Sequence, residues 1–293
     1  MTPMSRHGVR SVVLVIAASL VLSVGGAAKF AFPLQPGSVR MAVIGDFGTA
    51  ELPQTETAQQ MVRSRADFPF EFVITVGDNL YTGSQPEDFD RGFAVPYKPL
   101  LDAGVTFHAT LGNHDKTNER FYKPFNMDGK PYYTFKKGHV RFFALDSNYM
   151  DRAEVAWIEA QLREAASGDW KVCFFHHPLY SNGKYHGPAK DLRRVLEPLF
   201  VKYGVSVVFA GHEHVYERLL PQKGITYFTQ GASGSLRSGG LAPSKSTAKG
   251  FDTDRSFMMV EFAGDDMYFQ AISRTGAVVE SGIIQRTPKT VPF

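Results

Sequence analysis

The chain has 293 residues, 43% of them hydrophobic, with 24 Phe and 12 Tyr, enough apolar mass for one large core in a single domain. Its formal net charge of +3 falls to +1 (30 basic minus 29 acidic) without residues 1–28, which hold two basic and no acidic residues, so no nucleic-acid partner is expected. The one cysteine, Cys173, sits in an apolar run, which excludes an intramolecular disulfide and thiolate-based zinc or iron–sulfur sites.

The first 28 residues read as a targeting segment. Arg6 and Arg10 form a basic region, residues 11–24 an apolar run, and Gly26-Ala27-Ala28 a small-residue cleavage site, the pattern of a secretory signal peptide. The expected location is secreted or periplasmic. An uncleaved N-terminal anchor facing outward is the alternative, because the apolar run approaches spanning length; only then is a stable membrane partner expected. Residues 29–38 are a Pro-containing lead-in.

From residue 39 onward, apolar β-branched runs alternate with helical patterns. Residues 39–44 predict a strand ending in Gly45-Asp46-Phe47-Gly48, and 55–64 a helix. Residues 72–76 predict a buried strand that delivers Gly77-Asp78-Asn79-Leu80-Tyr81. Residues 86–101 are mixed and helical, with Pro96 and Pro99 as breakers. A third strand, 105–111, ends in Gly112-Asn113-His114-Asp115. Residues 132–135 and 140–145 pair around Lys137-Gly138-His139, and the strand-end Asp146 reads as a structural acceptor.

A helix over 151–166 has Asp151 as N-cap, Glu154 in capping-box position, and Val155, Ile158, Leu162 and Ala165 as its apolar stripe. Strand 171–175 ends in His176-His177-Pro178. Helix 189–203 turns Leu192, Val195, Leu196, Leu199 and Phe200 inward, with a kink at Pro198. Strand 205–210 ends in Gly211-His212-Glu213-His214; Glu217 and Arg218 beyond it suggest an ion pair. Strand 225–229, a long mobile Gly/Ser/Lys-rich loop over 231–250, and three turn-linked strands (257–262, 267–272, 277–284) complete a domain over 39–286, followed by a tail, 287–293.

Alternating strands and helices imply an α/β layered core. Sites form at the carboxyl edge of such sheets, and five strand ends deliver Asp46, Asp78, Asn113, His176 and the His212/His214 pair there. Two carboxylates, an amide oxygen and three imidazoles suit hard to borderline cations. They exceed what one tetrahedral metal needs, so two metals sharing Asp78 use them economically, since a carboxylate can bridge.

In order, Asp46-Phe47-Gly48, Gly77-Asp78-Asn79-Leu80-Tyr81, Gly112-Asn113-His114-Asp115, His176-His177-Pro178 and Gly211-His212-Glu213-His214 resemble the signature of the calcineurin-like metallophosphoesterase superfamily, across nearly the whole chain after residue 39. Most of that superfamily has His where this chain has Gly48. Purple acid phosphatases have Gly there and a Tyr after the second Asp, and the chain looks like their short, single-domain, tartrate-resistant type.

The resemblance implies a four-layer α/β/β/α sandwich of two mixed β-sheets flanked by helices. It implies Fe(III) at Asp46, Asp78, Tyr81 and His214, and a divalent Fe, Zn or Mn at Asp78, Asn113, His176 and His212. His176 rather than His177 matches, because the family's ligand lies two residues before the Pro. A phenol has a pKa of about 10 and becomes a phenolate ligand only beside a strong Lewis acid, which favours Fe(III) over Zn.

The implied activity is acid phosphatase action on a small phosphate-monoester substrate, by in-line attack of a metal-bound hydroxide. His114 is expected to contact phosphate, tuned by Asp115, and His186 to protonate the leaving alkoxide. A phosphodiesterase or nucleotidase of the same superfamily, or a catalytically silent binding scaffold on the same fold, are the competing readings.

Overall fold

Side chains along the central strands explain the layering. In β5 (Val140–Ala144) and the residue after it, Phe142 and Ala144 pack into one core cluster while Phe143 and Leu145 pack into another. In β6 (Trp170–Phe174) and the residue after it, Val172 and Phe174 alternate with Cys173 and Phe175 in the same way. Neighbouring strand residues point to opposite faces, so both faces of this sheet are buried. That is why residues 142–145 and 172–175 read as continuous apolar runs rather than alternating ones.

The computed structural model describes Met1 and residues 30–286. The chain divides after Ala31, and all that follows concerns the second unit. The expected signal peptide or anchor and the expected tail lie outside the described residues.

Two mixed β-sheets flanked by helices form the unit. The first has the order β13-β12-β11-β1-β2-β3. Its strands β1 (Val39–Ile44), β2 (Phe72–Val76) and β3 (Thr106–Thr110) run parallel. Beside them lie β11 (Ser256–Ala263), β12 (Asp266–Ser273) and β13 (Val278–Gln285), all antiparallel. The second sheet has the order β10-β8-β9-β7-β6-β5-β4. Here β5, β6, β7 (Val207–Ala210) and β9 (Thr226–Gln230) are parallel. Strands β4 (Tyr133–Lys137), β8 (Tyr216–Leu219) and β10 (Thr247–Phe251) add antiparallel edges.

Aromatic rings close the gap between the sheets. Trp170 meets Phe262 at 5.1 Å and Phe228 meets Phe269 at 5.1 Å, both edge-to-face. The outer face of the second sheet is covered by α4 (Arg152–Glu164) and α5 (Lys190–Tyr203), through Ile158, Leu162, Leu196 and Phe200.

The elements depart from expectation where polar side chains find distant partners. Helix α1 (Leu52–Arg65) starts three residues earlier than the pattern suggests, because Pro53 sits in its first turn, where a missing N–H costs nothing. Residues 86–102 split into α2 (Pro86–Phe89), a π-helical turn (Asp90–Ala94) and α3 (Lys98–Asp102). Pro99 opens α3 rather than breaking it. Asp151 caps α4 by accepting from Glu154 N at 2.8 Å, but Glu154 does not close a capping box; it accepts from Asp146 N at 2.8 Å. Val195 on α5 is 43% exposed rather than inward. The stretch expected as a long loop, 231–250, runs into β10 at its end, and its Ser233 N, Ser235 N and Arg237 N donate to Gly45 O, Asp46 O and His214 O.

His108 on β3 stacks on Phe135 at 4.0 Å. Burial, then the Lys137 charge, lowers its pKa from 6.5 to about 4. Between those values the unfolded chain binds a proton that the folded one does not, so stability falls as pH drops through that window. His108→Phe is expected to flatten the decline between pH 6.5 and about 4, read as urea midpoints across pH.

Candidate metal centre

The parallel strands of both sheets end at one edge, and three of the residues placed there have left-handed backbones. Asp46, Asp78 and His212 have φ of 52°, 50° and 70°, a region that non-glycine residues seldom occupy. Each bend turns a side chain back over the end of its own sheet. Close approach explains the glycine before a ligand: a Cβ on Gly112 would stand 2.1 Å from Asp78 Oδ1.

Asp46, Asp78 and His214 bring ligand atoms within 4.8 Å of one another. Tyr81 joins them: its hydroxyl lies 3.0 Å from Asp78 Oδ2, 3.1 Å from His214 Nε2 and 3.4 Å from Asp46 Oδ1. Asp78 continues into a second set. Its Oδ1 is 3.5 Å from His176 Nε2, which is 2.9 Å from Asn113 Oδ1 and 3.0 Å from His212 Nδ1. The two proposed ligand sets therefore come together and share Asp78.

His176 is fully buried, and its Nδ1 lies 2.9 Å from Val76 O, which can only accept. The proton is thus on Nδ1 and the Nε2 lone pair faces the cluster. His177 stands beside it, 2.9 Å from Ser147 Oγ through Nδ1, and also has a nitrogen within ligand reach of His176 and His212. Only His176 is packed against Asp78 and Asn113.

The donors suit cations. Asp46 and Asp78 are 0% and 1% exposed. Burial and then the Asp78 charge push the Asp46 carboxyl well above its ordinary range, so a cation beside it would favour its ionised form. Burial, then neighbouring imidazoles, holds His212 at about 2, and burial followed by the Arg237 charge holds His214 at about 4; both keep a lone pair for a metal. Burial, then the Asp46 and Asp78 charges, pushes the Tyr81 phenol far up. A strong cation is what would free its proton.

Gly48 and Tyr81 depend on each other. Tyr81 N donates to Gly48 O at 3.0 Å, and a Cβ on Gly48 would lie 1.7 Å from Asn79 O. No side chain fits at 48 while the Tyr81 turn keeps this course.

His114 N donates to Asp78 Oδ1 at 3.0 Å, and its exposed ring lies 4.8 Å from the Tyr81 ring. The His186 ring stands 4.0 Å from that of His212. Two carboxylates hold its loop. Glu213, fully buried, accepts from His186 N and Gly187 N, both at 2.6 Å. Glu217 accepts from Ser181 Oγ, Asn182 N, Asn182 Nδ2 and Thr247 Oγ1 at 2.6–3.0 Å.

One expectation is corrected. Glu217 and Arg218 are not an ion pair, because neighbours on β8 face opposite ways; Arg218 pairs with Glu280 instead. Asp115 is engaged by the backbone around it. Its oxygens accept from Asn79 N and Gly112 N at 2.7 Å, Asn79 Nδ2 at 2.8 Å and Leu80 N at 3.0 Å, so it fastens the β2 and β3 turns together. Glu213, Glu217 and Arg237 are the neighbours of the site that the motifs did not assign. Only the His-x-His flanking Glu213 hinted at one of them.

Residues 39–216 match the family described as calcineurin-like phosphoesterase, and the chain belongs to that family. It is 25% identical over 289 residues to purple acid phosphatase 17 of Arabidopsis thaliana (84% of this chain, 85% of the relative). It is 23% identical over 304 residues to tartrate-resistant acid phosphatase type 5 of Rattus norvegicus (86% and 92%). Among solved structures, purple acid phosphatase PPD1 of yellow lupin (Lupinus luteus) superposes with TM-score 0.75 at 20% identity, covering 87% of this chain and 55% of that one. GAP50, described as the anchor in the inner membrane complex of Plasmodium, superposes with TM-score 0.74 at 18% identity, covering 86% and 90%.

Asp115→Asn is expected to destabilise the fold by about 1–3 kcal/mol, because an amide offers its N–H₂ to donors that need an acceptor. Metal content should fall in parallel; a loss of turnover with stability and metal unchanged would instead make Asp115 catalytic. Gly48→Ala should lower the unfolding midpoint and metal content together.

Proposed function

We propose that the chain is an exported acid phosphatase that hydrolyses small phosphate monoesters at two cations. A ferric ion would be held by Asp46, Asp78, Tyr81 and His214, and a divalent Fe, Zn or Mn by Asp78, Asn113, His176 and His212. One observation carries this reading: the Tyr81 hydroxyl lies within 3.4 Å of Asp46, Asp78 and His214 together. Similarity to purple and tartrate-resistant acid phosphatases supports the monoester assignment. The export assignment rests on residues 1–28 alone. Among the described residues no helix is long and apolar enough to cross a membrane.

When bound, the cations supply Lewis acidity to the phosphoryl oxygens and an activated water. The chain's own residues do the rest. His114 is free at its ring and tied at its backbone, so it can donate to a phosphoryl oxygen without moving the Asp78 turn. His186, whose backbone is held by Glu213 and whose ring lies beside His212, would pass a proton to a departing alkoxide. Asn113 and His114 are exposed while Asp46 and His176 are fully buried, so substrate enters from the Asn113 and His114 side.

The anchor protein that shares the fold means that fold alone does not select catalysis over scaffolding. The filled ligand set favours catalysis. Purified protein is expected to contain iron and show a visible phenolate-to-iron band that Tyr81→Phe removes. It should hydrolyse an aryl phosphate monoester faster than the corresponding bis-aryl diester, with a mildly acidic optimum. Faster diester turnover would overturn the monoester assignment, and iron-free protein would favour a scaffold.

A further inference from the structure

A cavity of about 180 Å³ adjoins the ligand cluster through Asn113 and His177, with Asp146, Asn148 and Tyr149 in its wall. It is smaller than the roughly 300–1,000 Å³ of sites that enclose a whole drug-sized molecule, and suits one small head group. The loop after β5 builds it and is tied to the neighbours of two ligands. Asn148 Nδ2 donates to Leu111 O at 3.0 Å, two residues before Asn113. His177 N, beside His176, donates to Ser147 Oγ at 3.0 Å.

The wall is short of donors. Asp146 is only 9% exposed. Its Oδ1 accepts from Asn148 N at 2.9 Å and from Asn148 Nδ2 at 3.1 Å. Its Oδ2 accepts no hydrogen bond, and no Lys, Arg or His pairs with it among the described residues. Asn148 Oδ1 is buried with no donor, and the two bonds given by its Nδ2 fix the amide this way round. Asp115, the other carboxylate of the wall, is already filled by four N–H groups. No lysine or arginine lines the cavity.

A buried carboxylate oxygen with neither donor nor counter-charge is costly. A cation that donates hydrogen bonds relieves both deficits, and an ammonium group is such a cation. A hard divalent ion takes about six oxygens, more than one open carboxylate oxygen begins to supply. The Tyr149 ring, 79% exposed, adds an aromatic face that attracts an ammonium.

We propose that this cavity receives an ammonium group on the leaving alcohol, with Asp146 as its counter-ion, so that the preferred monoesters are those of small amino alcohols. This rests on the phosphatase reading for where the phosphoryl group sits. With that group at the ligand cluster, the alcohol would pass Asn113 and His177, and its ammonium would donate to Asp146 Oδ2.

Three small esters test this on the full chain in mildly acidic buffer, where the amine is protonated. They are O-phosphoethanolamine, propyl phosphate and phosphoglycolate, whose alcohols end in an ammonium, a methyl and a carboxylate. The wild type is expected to rank them in that order in kcat/KM. Asp146→Asn keeps an acceptor for Asn148 and removes the charge. It should lower the phosphoethanolamine-to-propyl ratio by about 10- to 100-fold, the value of a hydrogen bond to a charged group. Tyr149→Leu, at an exposed position, should lower it by about 2- to 5-fold. Phosphoglycolate turned over as well as phosphoethanolamine by the wild type, or a ratio that Asp146→Asn leaves unchanged, would overturn the proposal. If Asp146→Asn does not fold, the wild-type ranking and Tyr149→Leu decide.

Calorimetry with ethanolamine and propanol supplies a readout independent of turnover. Binding of ethanolamine in preference to propanol, weakened in Asp146→Asn, supports the site; no preference in the wild type refutes it. If none of the esters is hydrolysed, the phosphatase reading fails, and the calorimetric comparison still decides the cavity.

Discussion

Asp46 and Asp78 come from adjacent strands, are both buried, and lie within 4.8 Å of each other and of His214 at their ligand atoms. Two like charges so placed repel strongly in a low-dielectric interior. The protein meets part of that repulsion itself. His212 N donates to both oxygens of Asp46 at 3.0 and 3.1 Å, His114 N donates to Asp78 Oδ1, and the Tyr81 hydroxyl sits among the acceptors. The donors supplied are backbone amides and one phenol, with no lysine or arginine in direct contact among the described residues. An arginine there would neutralise the pair permanently; amides lower the repulsion and leave the acceptor lone pairs for cations.

Holding that arrangement has a backbone cost. Three left-handed residues at about 1–3 kcal/mol each would unravel an isolated turn. Pairwise bonds between strand ends offset it. Asp46 N donates to Gly77 O at 3.0 Å and Phe47 N to Asp78 O at 3.2 Å, while in the other sheet Gly211 N donates to His176 O at 2.9 Å. The ligands are therefore cross-linked through main chain as well as by any metal. The buried sheets beneath, with Phe142, Phe174, Phe209 and Phe228 in one continuous core, keep those ends from separating.

The strand ends were legible because apolar runs and glycine punctuation are local signals: β1 and β2 fall where the pattern put them. What was illegible has a common cause. Asp115, Glu154, Glu213 and Glu217 accept from groups brought close by folding, many of them main-chain N–H groups, and such partners carry no residue-type signature. A carboxylate beside a motif therefore looks catalytic or paired to its neighbour. The partners of the 231–250 segment were illegible for the same reason. Its Gly and Ser content named no partner, and small residues let its backbone lie against Gly45, Asp46 and His214; a Cβ on Gly234 would lie 2.1 Å from Phe47 O.

The Gly48 and Tyr81 pairing shows how one position redirects a site. A ligand at 48 would have to leave from the β1 turn, where the Asn79 carbonyl already stands. A phenol comes instead from the β2 turn, three residues past Asp78, and reaches Asp46 and His214. A phenol delivered this way brings a ring as well as an oxygen. That ring lies near His114 and lines the cavity that holds Arg237 and Arg255. Tyr81 is thus both part of the Asp46, Asp78 and His214 cluster and a wall of the space beside it. The carboxylate–imidazole cluster and the adjoining cavity are coupled through Tyr81, and a substitution there will disturb both.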